Sequence, residues 1–174
     1  PEVIMISHSM QEEALLASRN RLSRAEMVSR CGHWEFDFET GKVFESEGAR
    51  NIYGLRKREW TIQEVQEIPL PECRDVLDEA LRGLIQENRP YNVAFKIKRP
   101  DTGEIVDIYS VAEYDSARDV VFGIIQDISV RKQTEVVIRE SESRYRSLFQ
   151  NNHAVMLLID PASGRIIDVN PAAV

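Results

Sequence analysis

His33-Trp34-Glu35-Phe36-Asp37-Phe38-Glu39-Thr40-Gly41-Lys42-Val43-Phe44-Glu45-Ser46 is the stretch on which the fold turns. Trp34, Phe36 and Phe38 alternate with His33, Glu35, Asp37 and Glu39, the period of two expected of a half-buried strand. Thr40-Gly41 supplies a tight turn and residues 42–46 run back, so residues 33–46 read as a β-hairpin.

Upstream, residues 10–28 contain no Pro or Gly and carry Leu15, Leu22 and Ala25 at heptad-like separations among charges. That pattern predicts an amphipathic helix with a narrow apolar seam, suited to pairing with another helix. Cys31-Gly32 ends it. Downstream, short helical pieces are expected at residues 48–53 and 61–67. A longer helix begins at Pro71, where Cys73, Leu77, Ala80, Leu81, Leu84 and Ile85 recur on one face.

Beyond Pro90 three strand-like runs follow. Tyr91, Val93, Phe95 and Ile97 alternate with polar or small residues, Asp101-Thr102-Gly103 turns the chain, and residues 105–114 return. Residues 116–119 turn it again before a last run over 120–128. Two strands, helices, then three strands predict an α+β domain, a five-stranded antiparallel sheet with helices packed on one face. Residues 130–151, again without Pro or Gly, predict a second flanking helix about 30 Å long, too long for one small domain to bury. Its seam of Val130, Thr134, Val137, Ser141, Arg144 and Leu148 is only half apolar.

The hairpin has an echo. Asp37-Phe38-Glu39-Thr40-Gly41-Lys42-Val43-Phe44-Glu45 lines up with Asp160-Pro161-Ala162-Ser163-Gly164-Arg165-Ile166-Ile167-Asp168, Gly164 lying 123 residues beyond Gly41. Shared turn chemistry alone would produce part of this likeness. The context favours a second copy of the module: each hairpin follows a long charged helix, and Gly48-Ala49 and Pro171-Ala172 start a small-residue helix after each. The expected organisation is a flanking helix at 1–30, a complete α+β domain at 31–129, a linker helix at 130–152 and the opening of a second domain at 153–174, together a fragment of a longer protein.

These residues resemble the PAS superfamily of sensor domains. Trp34-Glu35-Phe36-Asp37 through Thr40-Gly41 and on to Ile52-Tyr53-Gly54-Leu55 is similar to the opening hairpin and first helix of the subfamily with a Trp-x-aromatic-Asp strand. Gly123-Ile124-Ile125-Gln126-Asp127-Ile128-Ser129-Val130-Arg131-Lys132 resembles that family's exit motif, with Ser129 where Thr is usual. Tyr145-Arg146-Ser147-Leu148-Phe149, Asp160, Gly164 and Asn170-Pro171-Ala172-Ala173 look like the start of another such domain. The resemblance implies a PAS-like sheet flanked by N-terminal and C-terminal signalling helices. It implies a module that binds a small molecule or cofactor, or dimerises, and relays to a histidine kinase, diguanylate cyclase or chemoreceptor output domain in the same parent chain. Asp127, Ser129 and Arg131 would carry the relay, a carboxylate and guanidinium pair tying sheet to helix, unless Asp127 simply caps the helix.

Trp34, Phe36, Tyr53, Phe95, Tyr109 and Phe122 are the candidates for lining a ligand pocket, although residues of this kind are more often buried simply for packing in an ordinary core. No cofactor is identified. Haem would need an imidazole on or near the long helix, and His8, His33 and His153 all lie outside 71–88. Flavin photochemistry would need a Cys motif of which Glu72-Cys73-Arg74-Asp75 keeps only Cys-Arg.

Cys31 and Cys73 match no metal spacing, so no metal site is expected. No P-loop, GxSxG or HExxH motif is present, and no catalytic residue is assigned. The alternative function is a purely structural dimerisation and relay module with a filled core.

Composition sets the remaining bounds. Twenty-two basic and 29 acidic residues give a formal net charge of −7, a poor electrostatic basis for nucleic-acid binding. No apolar run approaches the roughly 20 residues of a membrane span, so no membrane contact is expected of this chain and a cytoplasmic location is, whatever anchors a longer parent. The expected partners are a second copy, forming a homodimer through the flanking helices, and a small-molecule ligand.

Overall fold

The leading helix, α1 (Glu2–Ser29), starts eight residues earlier than the periodicity predicts and ends at Arg30, whose φ is 50°. The opening hairpin follows as β1 (Cys31–Asp37) and β2 (Lys42–Glu45), with Phe36 opposite Val43 and Trp34 opposite Glu45. Its turn is closed by Gly41 N–H donating to the Asp37 carbonyl at 2.9 Å, with Gly41 at φ 66°, where a side chain would be strained. The computed structural model describes residues 2–56 and 60–173, with side chains from residue 12 onward.

Three helices follow. In α2 (Glu47–Tyr53) the Ser46 hydroxyl caps the N-terminus by accepting from Ala49 N–H, and Gly54 closes the other end in the left-handed region. In α3 (Ile62–Glu67) Thr61 and Glu64 form a reciprocal capping box. In α4 (Pro71–Glu87) Pro71 opens the helix where its missing N–H costs nothing, and Asn88 ends it.

The later strands are β4 (Tyr91–Lys98), β5 (Ile105–Asp115) and β6 (Val120–Asp127), paired as the predicted meander. The sheet has six strands, in the order β3-β2-β1-β6-β5-β4, where the sequence predicts five. The extra strand, β3 (Trp60–Thr61), pairs with the edge of β2 and is too short for alternation to reveal it. The hairpin joins the meander through β1 and β6, where Trp34 faces Gly123. A Cβ on Gly123 would sit 2.4 Å from the Trp34 indole, so glycine is what lets the ring lie across the sheet.

The helices cover one face. Ala49, Ile52, Tyr53, Leu55, Phe95, Ile97 and Ile108 form one buried cluster, and Leu84, Tyr91, Ala112 and Val121 another, with Leu77 of α4 touching both. Each such fully buried side chain contributes roughly 1.5–3 kcal/mol.

The chain divides into two compact units, Pro1–Ser129 and Val130–Val174. The second unit contains most of α5 (Ser129–Gln150), β7 (Leu157–Ile159), β8 (Ile166–Val169) and a 3-10 turn, Pro171–Ala173. Tyr145 stacks on Phe149 with ring centroids 5.5 Å apart. The fully buried Asn170 amide accepts from Met156 N–H at 2.8 Å and donates to the Asn152 and Ala154 carbonyls, tying the hairpin to the chain after α5. No helix among the described residues is long and apolar enough to cross a membrane.

Candidate functional site

Between the sheet and the helices lies a cavity of about 90 Å3. Four of the six pocket candidates line it: Trp34, Phe36, Tyr53 and Phe95. Tyr109 and Phe122 do not. Strand alternation turns them to the opposite face, where Phe122 is 44% exposed and lies 6.0 Å from the His33 ring. Choosing residues by aromatic character without following the phase of each strand admitted both. Phe38, beyond the end of β1, packs edge-on against Phe36 and Tyr114.

Glu45, Gln66, Arg74, Asp78, Tyr91 and Ser110 supply further polar lining, and none was singled out from the sequence as a pocket residue. The Ser110 hydroxyl bonds to the Tyr91 phenol, moderating the burial that pushes that phenol up to about 12. Burial, reinforced by Tyr91 and Glu45, raises the Tyr53 phenol further. Both tyrosines are therefore neutral O–H groups at physiological pH.

Glu45 is the unusual member. It is 4% exposed, and neither carboxylate oxygen has a hydrogen-bond partner. Burial raises its carboxyl above the ordinary value of 4.5, while the charge of Arg50 acts in the opposite direction. An ionised carboxylate held this way costs on the order of several kcal/mol. The signal for it lay in the hairpin itself: if Trp34 and Phe36 point inward, their cross-strand partners Glu45 and Val43 point inward with them. The larger hydrophobe of β2, Phe44, is consequently 61% exposed.

A second polar cluster holds α1 against the hairpin. The buried carboxylate of Glu26 lies 2.6 Å from His33 Nδ1 and accepts from Gly48 N–H at 3.3 Å, in the first turn of α2 where a negative charge is favoured. Nothing in the local pattern of α1 distinguishes Glu26 from its exposed neighbours.

At the exit junction the Asp127 carboxylate makes a local bond at the start of α5, the capping alternative to the ion pair. Asp127 Oδ1 accepts from Ser129 N–H at 2.9 Å, and Oδ2 lies 4.0 Å from the Arg30 guanidinium. Arg131 instead faces Glu135 at 3.9 Å, one turn along α5. The predicted pair with Arg131 gives way to the local backbone N–H, which reaches the carboxylate without ordering a long side chain. The Ser129 hydroxyl accepts from Asp107 N–H at 2.9 Å, and Ile128 N–H donates to the Asp107 carbonyl at 2.8 Å. Asp127 N–H donates to the Arg30 carbonyl at 3.0 Å. The end of α1 and the start of α5 thus meet the sheet at one residue.

Cys31 and Cys73 are free and half-buried, and the described residues contain no group of three or more His, Cys, Asp or Glu arranged to hold a metal ion. No curated protein matches the sequence. A structure of a sensory box histidine kinase/response regulator from Burkholderia thailandensis E264 is similar, at 24% identity and a TM-score of 0.57, spanning 74% of this chain and 99% of that one.

This chain has the PAS fold.

Two further solved structures share the PAS fold at this level. One is an RNA-binding light-oxygen-voltage receptor, 20% identical with a TM-score of 0.53, over 68% of this chain and 34% of that one. The other is the N-terminal domain of a diguanylate cyclase with PAS/PAC sensor from Marinobacter aquaeolei, 14% identical with a TM-score of 0.50, over 59% of this chain and 98% of that one. A PAS domain family model also matches residues 143–174, the end of α5 and the second hairpin.

Proposed function

We propose that this chain is a sensory and relay module that detects a small molecule in the cavity between sheet and helices and passes the change through α5 to an output domain of the histidine kinase or diguanylate cyclase kind. The observation that carries this reading is the cavity itself: an aromatic enclosure, with a buried, unpartnered carboxylate in its wall, inside a PAS fold. The proteins named above, a histidine kinase/response regulator and a diguanylate cyclase, support the choice of output. Residues 153–174 are read as the opening of a second PAS domain, supported by the family match over 143–174 and by the repeated turn.

Native mass spectrometry of protein purified without added ligand, followed by a thermal-shift screen, tests the reading. A co-purified small molecule or a ligand-dependent rise in Tm is expected. Absence of both would leave the structural module, for which the exposed Leu15, Leu22, Val137 and Leu148 on α1 and α5 provide pairing surface.

In this reading Asp127, Ser129 and Arg131 carry the relay, with Asp127 and Ser129 acting at the end of the sheet and Arg131 in the first turn of α5. Asp127→Ala is expected to cost about 1 kcal/mol by urea unfolding while uncoupling ligand from output in the parent protein. An unchanged response there would remove Asp127 from the relay.

A further inference from the structure

We infer that the cavity takes a small organic cation, an alkylammonium, amidinium or imidazolium no larger than a five-membered ring, with its N–H groups on the Glu45 carboxylate and its body against the aromatic walls. The inference rests on the ligand-sensing reading above and supplies its chemistry.

Three observations converge on it. First, Glu45 is 4% exposed with both oxygens unbonded, so its carboxylate has neither a donor nor a counter-ion in hydrogen-bond contact, and the charge of Arg50 reaches it only from outside the lining. A neutral amide would satisfy the oxygens alone. A cation satisfies them and neutralises the carboxylate in a medium where charge is poorly screened, and an anion would be repelled. Second, Trp34, Phe36, Tyr53, Tyr91 and Phe95 line the same space. A desolvated cation beside the Glu45 carboxylate is further attracted by any ring face turned to it, through the ring quadrupole. Third, the volume of about 90 Å3 falls below the roughly 150 Å3 of a cavity that accepts benzene.

The other charged groups lining the cavity are already engaged. Arg74 donates to the Pro69 and Glu67 carbonyls at 3.1 and 2.7 Å, and Asp78 accepts from Gln66 at 3.3 Å. Arg50 lies outside the lining and makes no hydrogen bond to Glu45. Among the described residues, the carboxylate left without a hydrogen bond in the cavity wall is therefore that of Glu45.

The test uses the full chain and two matched pairs: acetamidinium against acetamide, and propylammonium against 1-propanol, at constant ionic strength. Thermal unfolding and titration calorimetry are read for the native chain, for Glu45→Gln, and for Asp78→Asn as a control on the second acid. The expected result is a rise in Tm with the two cations, little or none with their neutral partners, at least about a tenfold weaker Kd in Glu45→Gln, and retention of the response in Asp78→Asn. If Glu45→Gln fails to fold, Glu45→Leu, checked by circular dichroism, takes its place with the same expectation.

An equal response of the native chain and the Glu45 variant overturns the inference. So does stabilisation by the neutral partners alone, which would leave a ligand-binding cavity of different chemistry. Silence of all four compounds overturns it too. A co-purified molecule in the native mass spectrum would then keep the sensing reading, and an empty spectrum would take that reading down as well.

Discussion

The two hairpins of this chain have the same turn and opposite surroundings. In both, an Asp carbonyl accepts from a Gly N–H four residues on, at 2.9 Å for Asp37 and Gly41 and 2.8 Å for Asp160 and Gly164. Both glycines are left-handed, at φ 66° and 68°. In both, a polar residue just after the second strand closes the open end: Ser46 N–H donates to the His33 carbonyl while its hydroxyl accepts from His33 N–H, and Asn170 does the same with Met156. Yet β1 and β2 bury Phe36, Val43 and Glu45, while every residue of β7 and β8 is exposed within this chain. Turn chemistry is therefore sufficient to make the hairpin and irrelevant to what covers it.

The comparison also corrects the alignment. Ile159 pairs with Ile166 as Phe36 pairs with Val43, but Leu158 then pairs with Asp168, leaving Ile167 as a bulged extra residue. Beyond it the correspondence slips by one, so Asn170 lies 124 residues past Ser46. The place of Glu45 is taken by Val169, which faces Leu157 as Glu45 faces Trp34, and not by Asp168 as the ungapped alignment has it. The buried acid belongs to the first hairpin alone.

Exchanging residues between the hairpins tests this contrast. The largest effect is expected at Gly32, whose Cβ would lie 2.0 Å from the Ala49 backbone nitrogen of α2. Its counterpart, Val155, is 62% exposed. Gly32→Val should cost about 3 kcal/mol or more in urea unfolding, and Val155→Gly less than about 1 kcal/mol. Comparable costs would mean that α2 does not clamp the first hairpin.

A smaller effect of opposite sign is expected at position 45. Glu45→Val removes an unpartnered buried carboxyl, whose burial costs roughly 1–3 kcal/mol or more, and loses about 1 kcal/mol of side-chain packing. The net expectation is a gain of about 1 kcal/mol, whereas Val169→Glu, at a position 39% exposed, should stay within about 0.5 kcal/mol. The pH dependence separates this from simple repacking. Because burial raises the folded-state value of Glu45 above 4.5, the native chain loses stability as pH rises from that value through the folded one. Glu45→Val should lack that component, and two unfolding curves of the same pH slope would contradict it.

The smallest contrast is at the turns. Gly41→Ala and Gly164→Ala meet no neighbouring atom within 4 Å, so each should cost only the left-handed backbone penalty, about 1 kcal/mol. Hydrogen exchange at the two hairpins should respond equally. A larger response at Gly41 would show that the sheet around the first turn adds a constraint of its own.

Much of this was legible from residues. Alternation over 33–38, the turn at Thr40-Gly41, the face of α4 running from Cys73 to Ile85 and the meander over 91–128 are local signals, because period and turn chemistry act over a few residues. Trp34, Phe36, Tyr53 and Phe95 reached the cavity because large aromatics on an inward phase have few other places to go. The sequence alone determined the elements, the antiparallel hairpins and the recurrence of one turn in two places. Tertiary structure decided that β1 pairs with β6, that Phe122 faces out, that Asp127 turns to Ser129 and Arg30, and that Glu45 stands without a hydrogen bond in the wall of a cavity. Those outcomes depend on which surfaces meet across long stretches of chain, and a carboxylate in a strand reads the same whether the face it points to is water or a wall of aromatic rings.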